Sequence, residues 1–336
     1  MDLATAWPEE TGKRIDLKDR VGSATGRPRV AVMIPCYNEE LTIRQVIDDI
    51  RAALPDADIY VYDNNSKDKT SEIARAAGAI VRFEKRQGKG YVLQRMFREI
   101  DADVYLMIDG DSTYPANEAQ KLIDPVLSEG ADMVIGSRLM SASNSEFRRL
   151  NRFGNQFFLG TINYIFKVEL TDILSGYRAF NRKFIKNVML FAGGFDTETE
   201  MTIKALARGY QIVEVPVDLT NRPAGSSSKI RIVRDGSLIL KMIFSLFRDY
   251  KPLTFFGGIG LAMMIVGLVL GAFIVYEFFE TGLVLRFPTA ILATGLELAG
   301  MLSITVGLVL HTIARRSLEI EHQVQALYDE IENRRG

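Results

Sequence analysis

Two stretches late in the chain most constrain what it can fold into. From Pro252 to Tyr276 there is no charged residue, and from Phe287 to Leu310 the only one is Glu297. Each exceeds the about 20 residues with which a helix crosses the hydrocarbon core of a bilayer. A span must satisfy its backbone internally, so both are expected to be helices. Cations flank their outer ends (Arg248, Lys251, Arg315, Arg316), while the short connection holds Glu277, Glu280 and Arg286. The positive-inside rule then predicts an integral protein of the plasma or inner membrane, with the long preceding segment and both termini in the cytoplasm. A charge at the position of Glu297 costs about 2.5–3.5 kcal/mol on insertion scales, so this acid is expected to be protonated or paired. An inter-helix hydrogen bond fits it better than a transport role.

Composition excludes several classes. The net charge of −1 leaves no nucleic-acid footprint, and the single cysteine, Cys36, excludes a disulfide framework or a multi-cysteine metal site. Residues 1–28 are polar and lack the apolar core of a cleavable signal, so they read as a tail.

The segment between tail and spans alternates strand and helix patterns. Strands are expected at Arg29–Pro35, Ile59–Tyr62, Ala79–Phe83, Val104–Ile108 and Met133–Ile135. Between them, helices run to about Ala53 (Ile43, Val46, Ile47 and Ile50 at helical spacing), from about Thr70, and from Gly88-Lys89-Gly90 through Arg98. This order predicts right-handed βαβ units and a mostly parallel sheet, whose ligands bind beyond the carboxyl ends of its strands. Pro35 to Glu39, Asp63, Asp109, Asp111 and Arg138 fall at that edge. There is no Gly-x-Gly-x-x-Gly after the first strand and no Gly-x-x-x-x-Gly-Lys-Ser/Thr, which disfavours a dinucleotide-binding Rossmann domain and a P-loop NTPase.

The fourth strand ends in Asp109-Gly110-Asp111. Side chains alternate along a strand, so these two acids leave its end on the same side. Gly110 removes a side chain where something must approach closely. Paired hard oxygens at a strand end suit Mg²⁺ or Mn²⁺ shared with phosphates; a solvated turn is the plainer alternative.

Five motifs occur in order: Ile34-Pro-Cys-Tyr-Asn-Glu39, Asp63-Asn-Asn-Ser-Lys-Asp-Lys-Thr70, Asp109-Gly-Asp111, Gly136-Ser-Arg138 and Ser175-Gly-Tyr-Arg-Ala-Phe180. Over residues 29–251 the chain thereby resembles family 2 glycosyltransferases of the GT-A fold, within them the polyprenyl-phosphate glycosyltransferases related to dolichol-phosphate mannose synthase. The resemblance implies an α/β GT-A domain with a mostly parallel sheet (29–228). It would be followed by an interfacial amphipathic helix (229–251), two transmembrane helices (252–312) and a helical tail (313–336). It implies Pro35, Tyr37, Asn38, Glu39 and Asp63 around the nucleoside of a sugar-nucleotide donor, UDP- ahead of GDP-, with Lys89 and Gly110 beside it. Asp109 and Asp111 would form the metal-binding DxD motif, catalytic together with Arg138. A Gln that many dolichol-phosphate synthases use on the metal is replaced by Thr113, leaving the third ligand open. Arg222 and Lys229 would close a loop over the donor diphosphate.

On the acceptor side, the resemblance places Arg138, Arg148, Arg149 and Arg152 near the phosphate of a polyprenyl phosphate, undecaprenyl or dolichyl. Guanidinium groups beside the apolar face of Phe157, Phe158, Ile162, Ile165 and Phe166 suit a phosphorylated lipid, though a solvated basic helix reads the same way. Ser175, Gly176, Tyr177 and Arg178 would line the sugar pocket, and Glu198 and Glu200 would reach sugar hydroxyls or merely cap their helix. A lipid phosphate is already anionic at neutral pH, so inverting transfer needs no general base; His311 and His322 both lie far downstream. In the tail, Ile320, Val324, Leu327 and Ile331 make a short heptad seam that suggests a homo-oligomer; a solvated amphipathic helix fits equally. The rival readings are a membrane-bound polysaccharide synthase, for which Trp7 as the only tryptophan and just two spans are a poor fit, and a non-catalytic nucleotide-sugar-binding scaffold. A nucleotidylyltransferase would need a Gly-rich basic loop where Cys36-Tyr-Asn-Glu39 stands.

Overall fold

The structure, a computed structural model, describes residues 28–138, 152–190, 197–219, 244–245 and 248–333. The expected tail, Arg148, Arg149, Arg222, Lys229 and most of the expected interfacial helix lie outside the described residues, as does the side chain of Arg152. The described chain falls into two compact units, one from residues up to 138 with 170–219, the other from 152–169 with 244–333.

The first unit is built on a seven-stranded sheet. In chain order its elements are β1 (Val30–Cys36), α1 (Ile43–Ala53), β2 (Asp58–Asp63), α2 (Thr70–Ala76), β3 (Ile80–Phe83), α3 (Lys89–Glu99), β4 (Val104–Met107), α4 (Ala119–Ser128) and β5 (Met133–Ser137). The helix α5 (Arg152–Phe166) belongs to the second unit. The first unit resumes with β6 (Arg178–Asn181), α6 (Arg182–Asn187), α7 (Thr197–Ala207) and β7 (Ile212–Pro216). The strand order is β3-β2-β1-β4-β6-β5-β7, parallel except for β6, which runs antiparallel to both β4 and β5.

The alternation of β1 explains why helices cover both faces. Val32, Ile34 and Cys36 join a core with Ile43, Ile47 and Ile50 of α1, whereas Ala31 and Met33 join Val92, Leu93, Met96 and Phe97 of α3. A strand buried on both sides reads as an unbroken apolar run, the signature of its sequence. The five expected strands are present within a residue or two. β6 and β7 were not expected. β6 has four residues and opens on Arg178, which no strand pattern predicts; Asn181 ends it and caps α6, its side chain accepting the Phe184 N–H at 2.7 Å.

The second unit holds α5 and two long helices, α8 (Pro252–Thr281) and α9 (Phe287–Asn333). Both are long and apolar enough to cross a membrane. Gly282 ends α8 in the left-handed conformation (φ 69°), its N–H donating to the Phe278 carbonyl at 2.8 Å, which turns the chain back as a hairpin. Glycines let the helices touch: a Cβ on Gly260 would meet the Gly300 carbonyl at 2.5 Å, and one on Gly267 would meet Glu297 Oε1 at 2.9 Å. Ser303 donates to the Phe256 carbonyl across the same seam at 2.8 Å. Small residues and a cross-helix hydroxyl are how helices associate where lipid replaces water. The inter-helix hydrogen bond expected of Glu297 is not there: its buried Oε1 has no partner among the described residues. Its carboxyl faces Gly267, where a Cβ would lie 2.9 Å from Oε1.

Candidate functional site

Because β1, β2, β4 and β5 run parallel, their carboxyl ends deliver Tyr37 to Glu39, Asp63, Asp109 to Asp111 and Arg138 to one edge. The antiparallel β6 presents its beginning, Ser175 to Tyr177, at the same edge.

The loops after β1 and β2 are stitched together. The Asn38 N–H donates to Ser66 Oγ (2.9 Å) while Asn38 Oδ1 accepts from the Lys67 N–H (2.8 Å), and the Glu39 N–H donates to Thr70 Oγ1 (2.8 Å). Asp63, expected on the nucleoside, is only 3% exposed; its carboxylate accepts the Ser66 N–H at 2.9 Å and the Ser71 hydroxyl at 2.5 Å. Its described contacts thus fix the β2 loop. Asn38, Asn65 and Ser112 all take left-handed backbone (φ 55°, 62° and 59°) in the loops after β1, β2 and β4. For Ser112 this costs about 1–2 kcal/mol, strain of the kind that gathers at functional loops.

Asp109 is the centre of the arrangement. The Lys89 ammonium, at the start of α3, donates to Asp109 Oδ1 at 2.6 Å and to Glu198 Oε1 at 2.5 Å. Lys89 is placed there by Gly88, whose φ of 136° suits glycine and whose N–H donates to Asn64 Oδ1 at 2.7 Å. On the other side of the carboxylate stands Gly176; a Cβ there would run into Asp109 Oδ2. Gly110 also has a specific reason: a Cβ would meet Cys36 Sγ at 2.7 Å, so the close approach comes from β1. Burial opposes the Lys89 charge, but Asp109 and Glu198 outweigh it and raise its pKa above the usual lysine range. Burial likewise pushes Asp109 up against the pull of Lys89, whereas at Glu198 the effect of burial is outweighed by Lys89 and its carboxyl sits low. Glu200 is turned elsewhere and pairs with Lys204 at 2.7 Å.

Asp109 and Asp111 could hold a divalent cation. Asp109 already takes a cationic group, and Asp111 Oδ1 is oriented by the Thr113 N–H at 3.0 Å. Among the described residues no set of three His, Cys, Asp or Glu side chains is arranged as a metal site. Two carboxylates still fit Mg²⁺ or Mn²⁺, which keep waters and take substrate phosphates as further ligands.

Two expectations need correction. Arg178 does not line a sugar pocket: it is fully buried, donating to the Ser175 carbonyl (2.8 Å), the Ile173 carbonyl (2.7 Å) and Thr202 Oγ1 (2.8 Å), and burial lowers its pKa to about 10. It ties the β6 entry to α7, and its neighbour Tyr177 is also fully buried, its hydroxyl on the Pro115 carbonyl at 3.2 Å. Ser175 is equally buried, and of this motif Gly176 is the part that meets Asp109. Secondly, of the apolar face expected on α5, Phe158, Ile162 and Ile165 are buried and Phe166 half-buried, while the side chain of Phe157 lies outside the described residues.

Arg138 reaches the edge paired with Asp172, to which its Nε and Nη2 donate at 2.7 and 2.9 Å. Burial disfavours its charge, but Tyr114 and Asp172 more than compensate and raise its pKa. Asp172 and Tyr114, whose hydroxyl accepts the Gly176 N–H at 2.9 Å, were not expected in the site. Nothing periodic links Asp172 to Arg138; Tyr114 lay in view, three residues past Asp111.

Residues 31–189 match glycosyl transferase family 2. The glycosyltransferase AglJ of Haloferax volcanii is 38% identical over 249 residues, 74% of this chain and 82% of the relative. A dolichyl-phosphate hexose transferase of the same organism is 30% identical over 214 residues, 64% of this chain and 92% of the relative. Among solved structures, Mycobacterium tuberculosis glucosyl-3-phosphoglycerate synthase in complex with Mn²⁺, uridine diphosphate and phosphoglyceric acid superposes with a TM-score of 0.52 at 26% identity, over 66% of this chain and 78% of that one. With a GT-A sheet whose carboxyl edge gathers Asp109, Asp111 and Lys89, and with relatives matched over most of their length, the chain belongs to glycosyltransferase family 2.

Proposed function

We propose that the protein transfers one sugar, with inversion, from a nucleotide-diphosphate sugar to a polyprenyl phosphate at the cytoplasmic face of a membrane. The observation that carries this reading is the acid pair at the end of β4 with a lysine on it, in a chain that also has a hairpin of two membrane-length helices. The dolichyl phosphate in the name of one relative supports the acceptor, and the uridine diphosphate bound by the solved neighbour supports a UDP-sugar. The flanking cations favour a cytoplasmic catalytic segment, residues 29–228, with two transmembrane helices behind it.

Donor recognition is assigned to Pro35, Tyr37, Asn38, Glu39 and Asp63, to Gly110, and to Arg222 and Lys229 over the diphosphate. Asp109 and Asp111 would hold Mg²⁺ or Mn²⁺, which supplies charge neutralisation to the diphosphate when bound. The acceptor phosphate is assigned to Arg138, with Arg148, Arg149 and Arg152. The phosphate oxygen forms its bond to the anomeric carbon as the bond to the diphosphate breaks, and the diphosphate leaves with the electron pair. No side chain has to remove a proton; the task of the protein is alignment and charge stabilisation.

The test is turnover by detergent-purified full-length protein with radiolabelled UDP- and GDP-sugars, undecaprenyl phosphate and Mn²⁺ or Mg²⁺. One donor is expected to label the lipid fraction, with loss on chelation and a fall of about 10²–10³-fold in Asp111→Ala, the usual effect of removing a preorganised charge-stabilising group. Hydrolysis of a donor without lipid labelling would overturn the acceptor.

A further inference from the structure

The Lys89 ammonium lies midway between two carboxylates, 2.6 Å from Asp109 and 2.5 Å from Glu198. The other oxygen of Asp109, Oδ2, lies against Gly176, where a Cβ would clash with it. Any cation that takes Asp109 must therefore contend with a lysine already seated there. All three side chains are at least two-thirds covered, so a displaced ammonium left without an anion would be costly. Glu198 removes that difficulty. It stands in the first turn of α7, on a different element from Asp109, and already makes the second bond to the same nitrogen.

We propose that Glu198 is a positioning residue that receives the Lys89 ammonium when a divalent cation occupies Asp109, so that one ion pair is kept in both states. The inference rests on the divalent-cation part of the proposed function and on no particular sugar or acceptor. It gives Glu198 a task other than sugar recognition or helix capping. The lysine acts as a resident counterion that keeps the two acids from facing each other unshielded before the donor arrives. Because Lys89 returns to Asp109 when the metal leaves, the pair also favours release of the metal with the product diphosphate.

Two substitutions should move metal affinity in opposite directions. Glu198→Gln leaves Lys89 committed to Asp109, and Mn²⁺ binding should weaken by about 10–100-fold, the usual effect of losing an outer partner of a metal ligand. Lys89→Met removes the competitor and leaves both acids, so binding should tighten; Lys89→Gln serves if the Met variant does not fold. Glu198→Asp, which keeps the charge, should recover part of the loss. The measurement is free Mn²⁺ counted by electron paramagnetic resonance against full-length protein in detergent, with and without UDP, each variant first shown to keep a cooperative thermal transition. A purely structural Glu198 would lower that transition without producing opposite shifts in affinity. Unchanged Mn²⁺ affinity in Glu198→Gln, shifts of the same sign in both variants, or no Mn²⁺ binding by the wild type would each overturn the proposal. Lipid labelling is scored separately: labelling with flat Mn²⁺ affinities removes the lysine exchange and leaves the function, and opposite shifts without labelling do the reverse.

Discussion

Asp109 in the sheet unit and Glu297 in the helical hairpin are the same local device in two settings. Each is an acid pressed against a glycine, Gly176 in one case and Gly267 in the other. Asp109 is answered by Lys89, while Glu297 Oε1 has no partner among the described residues. The difference shows what a glycine opposite an acid does. It admits the carboxylate, but the group on the acid's far side decides whether the position becomes a place for cations or a strained point in a helix contact.

The sharpest way to break the comparison is to fill both glycines. Gly176→Ala should displace the Asp109 carboxylate and lower sugar transfer by about 10²-fold or more, as loss of a preorganised charge-binding group does. Gly267→Ala should instead cost about 1–3 kcal/mol of hairpin stability, an overpacking penalty, and leave transfer per folded molecule unchanged. Equal effects on transfer would erase the distinction. Next in size is Glu297→Met. With no hydrogen bond to lose and a mid-span acid removed, the hairpin should hold or gain up to about 3 kcal/mol, read from thermal transitions in detergent. A clear loss would mean that the acid does have a partner.

Smaller effects sharpen the description of the sheet edge. Gly110→Ala drives a methyl onto Cys36 Sγ and should cost about 1–3 kcal/mol in chemical denaturation; adding Cys36→Ala should restore most of it. The smallest concerns Asp68. Burial acts to raise its pKa, but the Thr70 hydroxyl and N–H and the Glu40 N–H more than offset this and lower it. A depressed folded pKa gives stability that is present above the unfolded value and lost as pH falls through the folded one. Asp68→Asn should therefore cost about 1 kcal/mol at neutral pH, and the difference from wild type should shrink as pH falls through the depressed folded pKa.

The parallel strands and their order of appearance were legible because each is an apolar run ending in turn residues, and the polar edge followed from the chain reversals between them. The same logic placed Tyr37, Asp63, Asp109 and Arg138 together. What stayed hidden depended on long-range partners. Lys89 read as a donor contact and Glu198 as a sugar contact, yet they share one ion-pair cluster with Asp109 across separations that no periodicity encodes. Arg178 read as a pocket residue because guanidinium groups seldom go fully under; here two carbonyls and a hydroxyl take its hydrogens. Glu297 failed in the opposite sense, as an expected hydrogen bond met a glycine.

The 47 residues of α9 make a rod of about 70 Å, more than twice the about 30 Å of a bilayer's hydrocarbon core. A helix that leaves the membrane unbroken carries its azimuth with it. At 3.6 residues per turn, Ile320, Val324 and Leu327 stand roughly 120–180° round the rod from Glu297, which faces α8. These three side chains are about 60% exposed. A partner helix docking on that stripe would thus meet the back of the hairpin, and rotating either contact about the rod axis would rotate the other with it.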